Sequence, residues 1–143
     1  MCPECSRRAL YYDQSMILLF NILSVATALL LAYIHKIAVY NSLYWNYLWF
    51  DIPMHLLGGL TFGFWAGAVS LRMHFTLAQA ALFTVAVVFF VSVVWEVFEF
   101  TSGLTALKRG FWPDTIGDIF FAVVGALLAY FLFLLARWRT ASV

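Results

Sequence analysis

Residues 77–100 read LAQAALFTVAVVFFVSVVWEVFEF, and no charged side chain occurs in them before Glu96. A bilayer core requires about 20 predominantly apolar residues of a spanning helix, and this stretch exceeds that length. A chain of 143 residues has too little protein to wrap such a segment on every side, so lipid must cover part of it. Three further apolar stretches approach the same length, at residues 16–34, 53–71 and 115–136. The expected fold class is therefore all-α, a polytopic membrane helical bundle with four transmembrane helices. Residues 1–143 are expected to form a single integral membrane domain.

Composition points the same way. Hydrophobic residues make up 65% of the chain and charged ones 10%. A soluble domain carries about 25% charged residues, so this surface suits the lipid bilayer and not water. The net charge of +1 gives no electrostatic footprint for nucleic acid. The two cysteines form a lone Cys2-x-x-Cys5, too few for a disulfide framework or a complete zinc knuckle. They are read as an unligated, reduced pair, against half of a zinc site shared between two copies. Arg7 and Arg8 precede an apolar run, as in a signal peptide. That run is longer than the usual h-region of about 7–15 residues, and no small-x-small cleavage site follows, so it is read as a retained first span.

Basic residues set the expected topology. With four spans, Arg7, Arg8, Arg72, Arg137 and Arg139 share one side, and Lys36, Lys108 and Arg109 share the other. That excess predicts cytoplasmic N- and C-termini in a multi-pass protein of the cell (inner or cytoplasmic) membrane. Tyr44, Trp45, Tyr47, Trp49 and Phe50 lie between the first two spans, a composition suited to the headgroup level. His35, His74, Trp95 and Trp112 are read as interfacial by the same logic, with His74 on the opposite side from the others. Pro53 and Pro113 suit the first turn of a helix, and Gly103 and Gly110 suit a turn after the third span. Gly59, Gly63 and Gly67 recur every fourth residue. They form a small-xxx-small seam on which another helix, from this chain or from a second copy in a homo-oligomer, can approach closely.

Five of the seven acidic residues lie at or inside span ends. Asp51 and His55 are four apart, Glu96 and Glu99 three, Asp114 and Asp118 four. Such spacings place each pair on one helix face. Topology brings all three pairs to one membrane face. Asp51, Glu99 and Asp114 are then expected in a shallow layer, with His55, Glu96 and Asp118 about one 5.4 Å turn deeper. Ionisable groups inside spans are costly, usually face the bundle interior and usually mark function. The helix dipole favours the aspartates at N-termini and opposes Glu96 and Glu99 near a C-terminus. These glutamates need protons or a nearby cation, whether Lys36, Lys108, Arg109 or a metal. Five carboxylates and an imidazole make a candidate ligand set for one or two divalent ions, Mg or Mn on the carboxylates and Zn or Fe with the histidine. The loose analogy is to carboxylate-bridged bundle proteins, although Glu96-x-x-Glu99 lacks their histidine.

These residues also resemble a known family. Asp51-Ile-Pro-Met-His55-Leu-Leu-Gly58-Gly59 resembles the Asp-x-x-x-His-x-x-x-Gly element of YjdF-like inner-membrane proteins. Trp95-Glu96-x-x-Glu99 resembles their aromatic-Glu-x-x-Glu element, and Trp112-Pro-Asp114-Thr115-x-x-Asp118 with Gly125 resembles their Trp-Asp-Thr-x-x-Asp…Gly element. The match runs from Asp51 to Tyr130. Pro113 between Trp112 and Asp114 departs from the pattern, and the chain looks shorter at its N-terminus. The order of acids and histidine is also distantly similar to VanZ-like membrane proteins. The resemblance implies an ordered polar site and names no reaction.

Three functions fit this reading. The first is a metal-dependent enzyme on a lipid or lipid-linked substrate, with Glu96 or Glu99 as general base. The second is a cation or proton transporter, since relays also use acids within spans. Ser24, Thr27, Thr84 and Ser92 are read as the polar steps across the rest of the bilayer. The third is a membrane scaffold whose acids form a structural salt-bridge cluster.

Overall fold

The structure, a computed structural model, describes residues 3–47, 49–102 and 111–141, with side chains described over 14–47, 49–102 and 112–138. The expectations for Cys2, Gly103, Lys108, Arg109 and Gly110, and for the side chains of Cys5, Arg7, Arg8 and Arg139, lie outside this description.

The chain is helical throughout its described elements: α1 (Pro3–Tyr40), α2 (Leu43–Asn46), α3 (Asp51–Arg72), α4 (Leu77–Ser102) and α5 (Phe111–Ala141). Four stretches are long and apolar enough to cross a membrane: Gln14–Tyr40, Asp51–Arg72, Leu77–Ser102 and Trp112–Trp138. The helices extend past the apolar stretches that announce them, because their polar ends still form backbone hydrogen bonds inside the helix. Pro53 and Pro113 each occupy the third position of a helix, inside the first turn, where the missing N–H leaves no helical bond unmade.

Helix α3 is the centre of the bundle. Within its spanning window 61% of residues are buried, against 11%, 22% and 28% for α1, α4 and α5. It packs on α1, α4 and α5, while α4 packs also on α5. It is the least apolar of the four. A helix relieved of lipid contact can carry Gly, His, Ser and Thr, whereas the outer three must present hydrocarbon.

The glycine seam of α3 brings a neighbouring backbone into contact. A Cβ at Gly59 would fall on the Ala122 carbonyl of α5. At Gly63 it would stand 2.7 Å from the Ala129 Cβ, and at Gly67 2.9 Å from the Phe20 ring of α1. Helix α5 answers with Gly125, where a Cβ would meet the Leu56 carbonyl and lie 2.9 Å from the Leu60 nitrogen. The seam expected to serve this chain or a second copy is therefore occupied from within. The homo-oligomer expected through Gly59, Gly63 and Gly67 is corrected, since α5 and Phe20 already fill that surface.

The two halves of the bundle differ. Toward the end of α3, Phe20 meets Phe64 and Phe133 edge-on, each pair of centroids 5.9 Å apart. Met16, Ala68, Leu71, Ala80 and Ala129 complete that core. The turn beyond it is closed by His74 at φ 53°, with Phe75 N–H donating to Ser70 O and His74 N–H to Leu71 O, the pairing that ends a helix on a left-handed residue. Thr76 and Gln79 then cap α4 reciprocally, as a capping box. This rigid, apolar half holds the register of α3 against α4 and α5. The other half carries the acids.

Neighbouring glycines should respond oppositely to the same substitution. Gly58→Ala meets nothing within 4 Å and should stabilise by roughly 0.5–1 kcal/mol, the usual gain for Ala over Gly in a helix. Gly59→Ala should cost at least about 1–3 kcal/mol, because backbone must move to admit the methyl. Thermal unfolding of both variants in one detergent checks the sign of each.

Candidate functional site

Helices α3 and α5 both start at the same membrane face and run parallel. Their contact at Gly59 and Ala122 sits one turn beyond His55 and Asp118. That close approach brings His55 Nε2 to 3.7 Å from Asp118 Oδ1. On its own helix the same nitrogen stands 3.5 Å from Asp51 Oδ1. From α4, which ends at this face, come Glu96 and Glu99.

Two sets of ligand atoms result, each with all members within 4.8 Å of one another: Asp51, His55 and Asp118, and His55, Glu96 and Glu99. His55 belongs to both. The structure thus draws together five of the six expected residues. Asp114 stands outside both sets among the described residues, and it is 8% exposed, as buried as His55. Of the residues expected in the shallow layer, Asp51 and Glu99 are half-buried and Asp114 is buried.

Hydrogen bonds fix the glutamates. Thr115 Oγ1 donates to Glu96 Oε2 at 2.8 Å, and Trp95 Nε1 donates to Glu99 Oε1 at 2.9 Å. Glu96 is 6% exposed, and its other oxygen, Oε1, accepts no hydrogen bond among the described residues. Reading Trp95 as a belt residue alone misses this bond. Both donors had a local signal: Trp95 is one turn before Glu99, and Thr115 shares a face with Asp118 three residues on. The ion pairs of the cluster among the described residues both run to His55. Lys36 is exposed and enters neither.

Above the cluster stands α2. Tyr44 Oη and His35 Nδ1 are hydrogen-bonded at 2.8 Å, and Phe50 packs edge-on against Tyr44 with centroids 5.4 Å apart. Burial, and then the carboxylates of Asp51 and Glu99, hold the Tyr44 phenol well above its usual range. It therefore remains a neutral hydrogen-bonding hydroxyl. A cavity of about 450 Å³ begins here, bordered by His35, Tyr44, Asp51, His55 and Glu99, and continues between helices α1, α3 and α4.

The arrangement suits a cation. Two donors that each stand about 2.0–2.2 Å from one ion are separated by about 3.0–3.5 Å. The Asp51–His55 and His55–Asp118 separations of 3.5 and 3.7 Å lie beside that range, and they are long for hydrogen bonds.

The family described as "Predicted membrane protein (DUF2238)" matches residues 9–140, and the chain belongs to it. This is the YjdF-like family that the Asp51–Tyr130 motifs resemble. Its description names no reaction. No curated protein and no solved structure matches the chain.

Thr115→Val should leave both Glu96 oxygens without a donor among the described residues and lower stability by about 1–3 kcal/mol, the cost of an orphaned buried polar group. Adding Glu96→Leu should recover most of that loss, since apolar replacement of both partners is nearly neutral. Unfolding of the metal-stripped single and double variants in detergent measures both steps.

Proposed function

We propose that this multi-pass membrane protein binds one or two divalent metal ions through Asp51, His55, Glu96, Glu99 and Asp118, and acts there as a metal-dependent enzyme on a lipid or lipid-linked substrate. The supporting observation is Glu96 Oε1, buried and accepting no hydrogen bond among the described residues, on a carboxylate that stands with His55 and Glu99 in one of the two ligand sets. A carboxylate so placed costs several kcal/mol unless a cation or proton answers it. The donor set agrees with a metal. Carboxylates with one imidazole suit Mn, Fe or Zn, and Mg is served by the carboxylates alone.

The residues divide by exposure. Glu96 and Asp118, both buried, fit the role of fixed ligands. Glu99 borders the cavity and is steadied by Trp95, which makes it the general base within reach of a substrate. A divalent ion held by this set would polarise a phosphoryl or acyl oxygen, or a water. The excess of Arg on the side of the termini supports a cytoplasmic location for that side, in a cell (inner or cytoplasmic) membrane. The site then faces the opposite surface, at headgroup depth.

Elemental mass spectrometry of dialysed, detergent-purified protein should find roughly one or two equivalents of a divalent metal in the wild type, as a preorganised ligand set requires. His55→Ala and Glu96→Gln should lose it, and Lys36→Ala should not. A folded wild type that takes up no Mn, Fe or Zn on titration, and no Mg at millimolar concentration, would falsify the metal reading.

A further inference from the structure

The cavity extends well beyond what a metal and a water require. Its volume of about 450 Å³ lies within the roughly 300–1,000 Å³ typical of organic-ligand sites. Its shape follows from the packing. Helices α1 and α4 each pack on α3 without packing extensively on each other, so they leave a cleft with α3 as its floor. Small residues widen it: Ala28 and Ala32 on α1 and Gly58 on α3. A Cβ at Gly58 would meet nothing within 4 Å, whereas its neighbour Gly59 is closed by α5. Away from the cluster the lining is chiefly apolar, with Leu31, Phe62 and Val91 among it. The cleft is thus polar at the headgroup end, apolar along its length and flanked by two lipid-facing helices.

We propose that this cleft holds one hydrocarbon chain of a lipid whose phosphate-type headgroup sits at the acid/His cluster, bridged to it by the bound divalent ion. The proposal rests on the metal reading above and assigns the substrate class of that same site. Charge decides the headgroup. Asp51, Glu96, Glu99 and Asp118 repel an anion, so a phosphate reaches them with a divalent cation between. At the mouth the neutral Tyr44 hydroxyl supplies a hydrogen-bond partner for a headgroup oxygen. The bilayer supplies the chain laterally, between α1 and α4, without its leaving hydrocarbon. Metal and lipid therefore bind together.

The test uses phosphatidic acid with a photoactivatable diazirine in its acyl chain, in vesicles that carry the purified full chain, with Mn²⁺ or with EDTA. Wild-type protein should label within residues 28–35 and 88–95 in Mn²⁺, and EDTA should lower that labelling by about tenfold or more. Gly58→Phe fills the cleft from its floor, and Ala32→Phe from an exposed position on α1. Each should lower the labelling similarly while metal content, measured on the same samples, stays at the wild-type value. Labelling spread evenly over lipid-facing residues, or unchanged in both Phe variants, overturns the proposal. Labelling of the cleft that ignores EDTA in metal-loaded protein overturns the metal-bridged headgroup and leaves the metal site standing. Absence of metal from wild-type protein identifies failure of the underlying reading instead.

Discussion

The backbones of α3 and α5 touch, and the rest of the bundle is arranged around that contact. Gly59 admits the Ala122 carbonyl, and Gly125 admits the Leu56 carbonyl. No hydrophobic effect drives helices together inside hydrocarbon, so close van der Waals contact between small residues must do it. The same contact sets the site. His55 and Asp118 lie one turn before Gly59 and Ala122 on parallel helices, so the glycine that allows the approach also determines the 3.7 Å between imidazole and carboxylate. Packing and chemistry share one pair of helix turns.

Much of this was legible in sequence. The four spans follow from apolar length, and the pairing of Asp51 with His55, Glu96 with Glu99 and Asp114 with Asp118 follows from spacing. Their convergence on one face follows from counting crossings. Rotation of one helix against another was not legible, because periodicity describes a helix alone. The Gly59, Gly63 and Gly67 seam reads equally well toward a sister copy or toward α5. Asp114 shares a face with Asp118 by spacing, yet its side chain lies outside both ligand sets. The cleft was invisible for the same reason: Ala28, Ala32 and Gly58 are unremarked small residues until α1 and α4 are seen flanking them.

The glutamates of α4 are the expensive part of this design. Both sit where the helix dipole opposes their charge, and one oxygen of Glu96 has no described donor. A single hydroxyl bond from Thr115 offsets part of that cost for Glu96, and the Trp95 indole does the same for Glu99. A chain that needed only stability would be served as well by apolar residues at these positions. The geometry instead keeps carboxylates close, oriented by Thr115 and Trp95, and bordered by a cavity. That combination supports the proposed cation site.

The far half of the bundle bears on what such a site is for. A path for protons or ions would have to continue from the cluster to the side of the termini. Along the way Thr27 donates to the Leu23 carbonyl, the Thr61 hydroxyl stands 2.8 Å from the Leu57 carbonyl and 3.0 Å from the Thr27 hydroxyl, and Ser24 donates to the Thr61 carbonyl. These hydroxyls are committed to backbone within and between α1 and α3. Beyond them Phe20, Phe64 and Phe133 interlock, with Phe20 and Phe133 each 1% exposed. Close-packed aromatic rings at that depth offer few polar partners among the described residues, chiefly the buried hydroxyls of Ser70 and Thr84, for a water file that needs two to four per molecule. The polar half therefore communicates with its own membrane face and, through the cleft between α1 and α4, with the lipid beside it. Those two openings support the proposed amphiphilic substrate, whose headgroup and chain would each meet a surface of matching polarity.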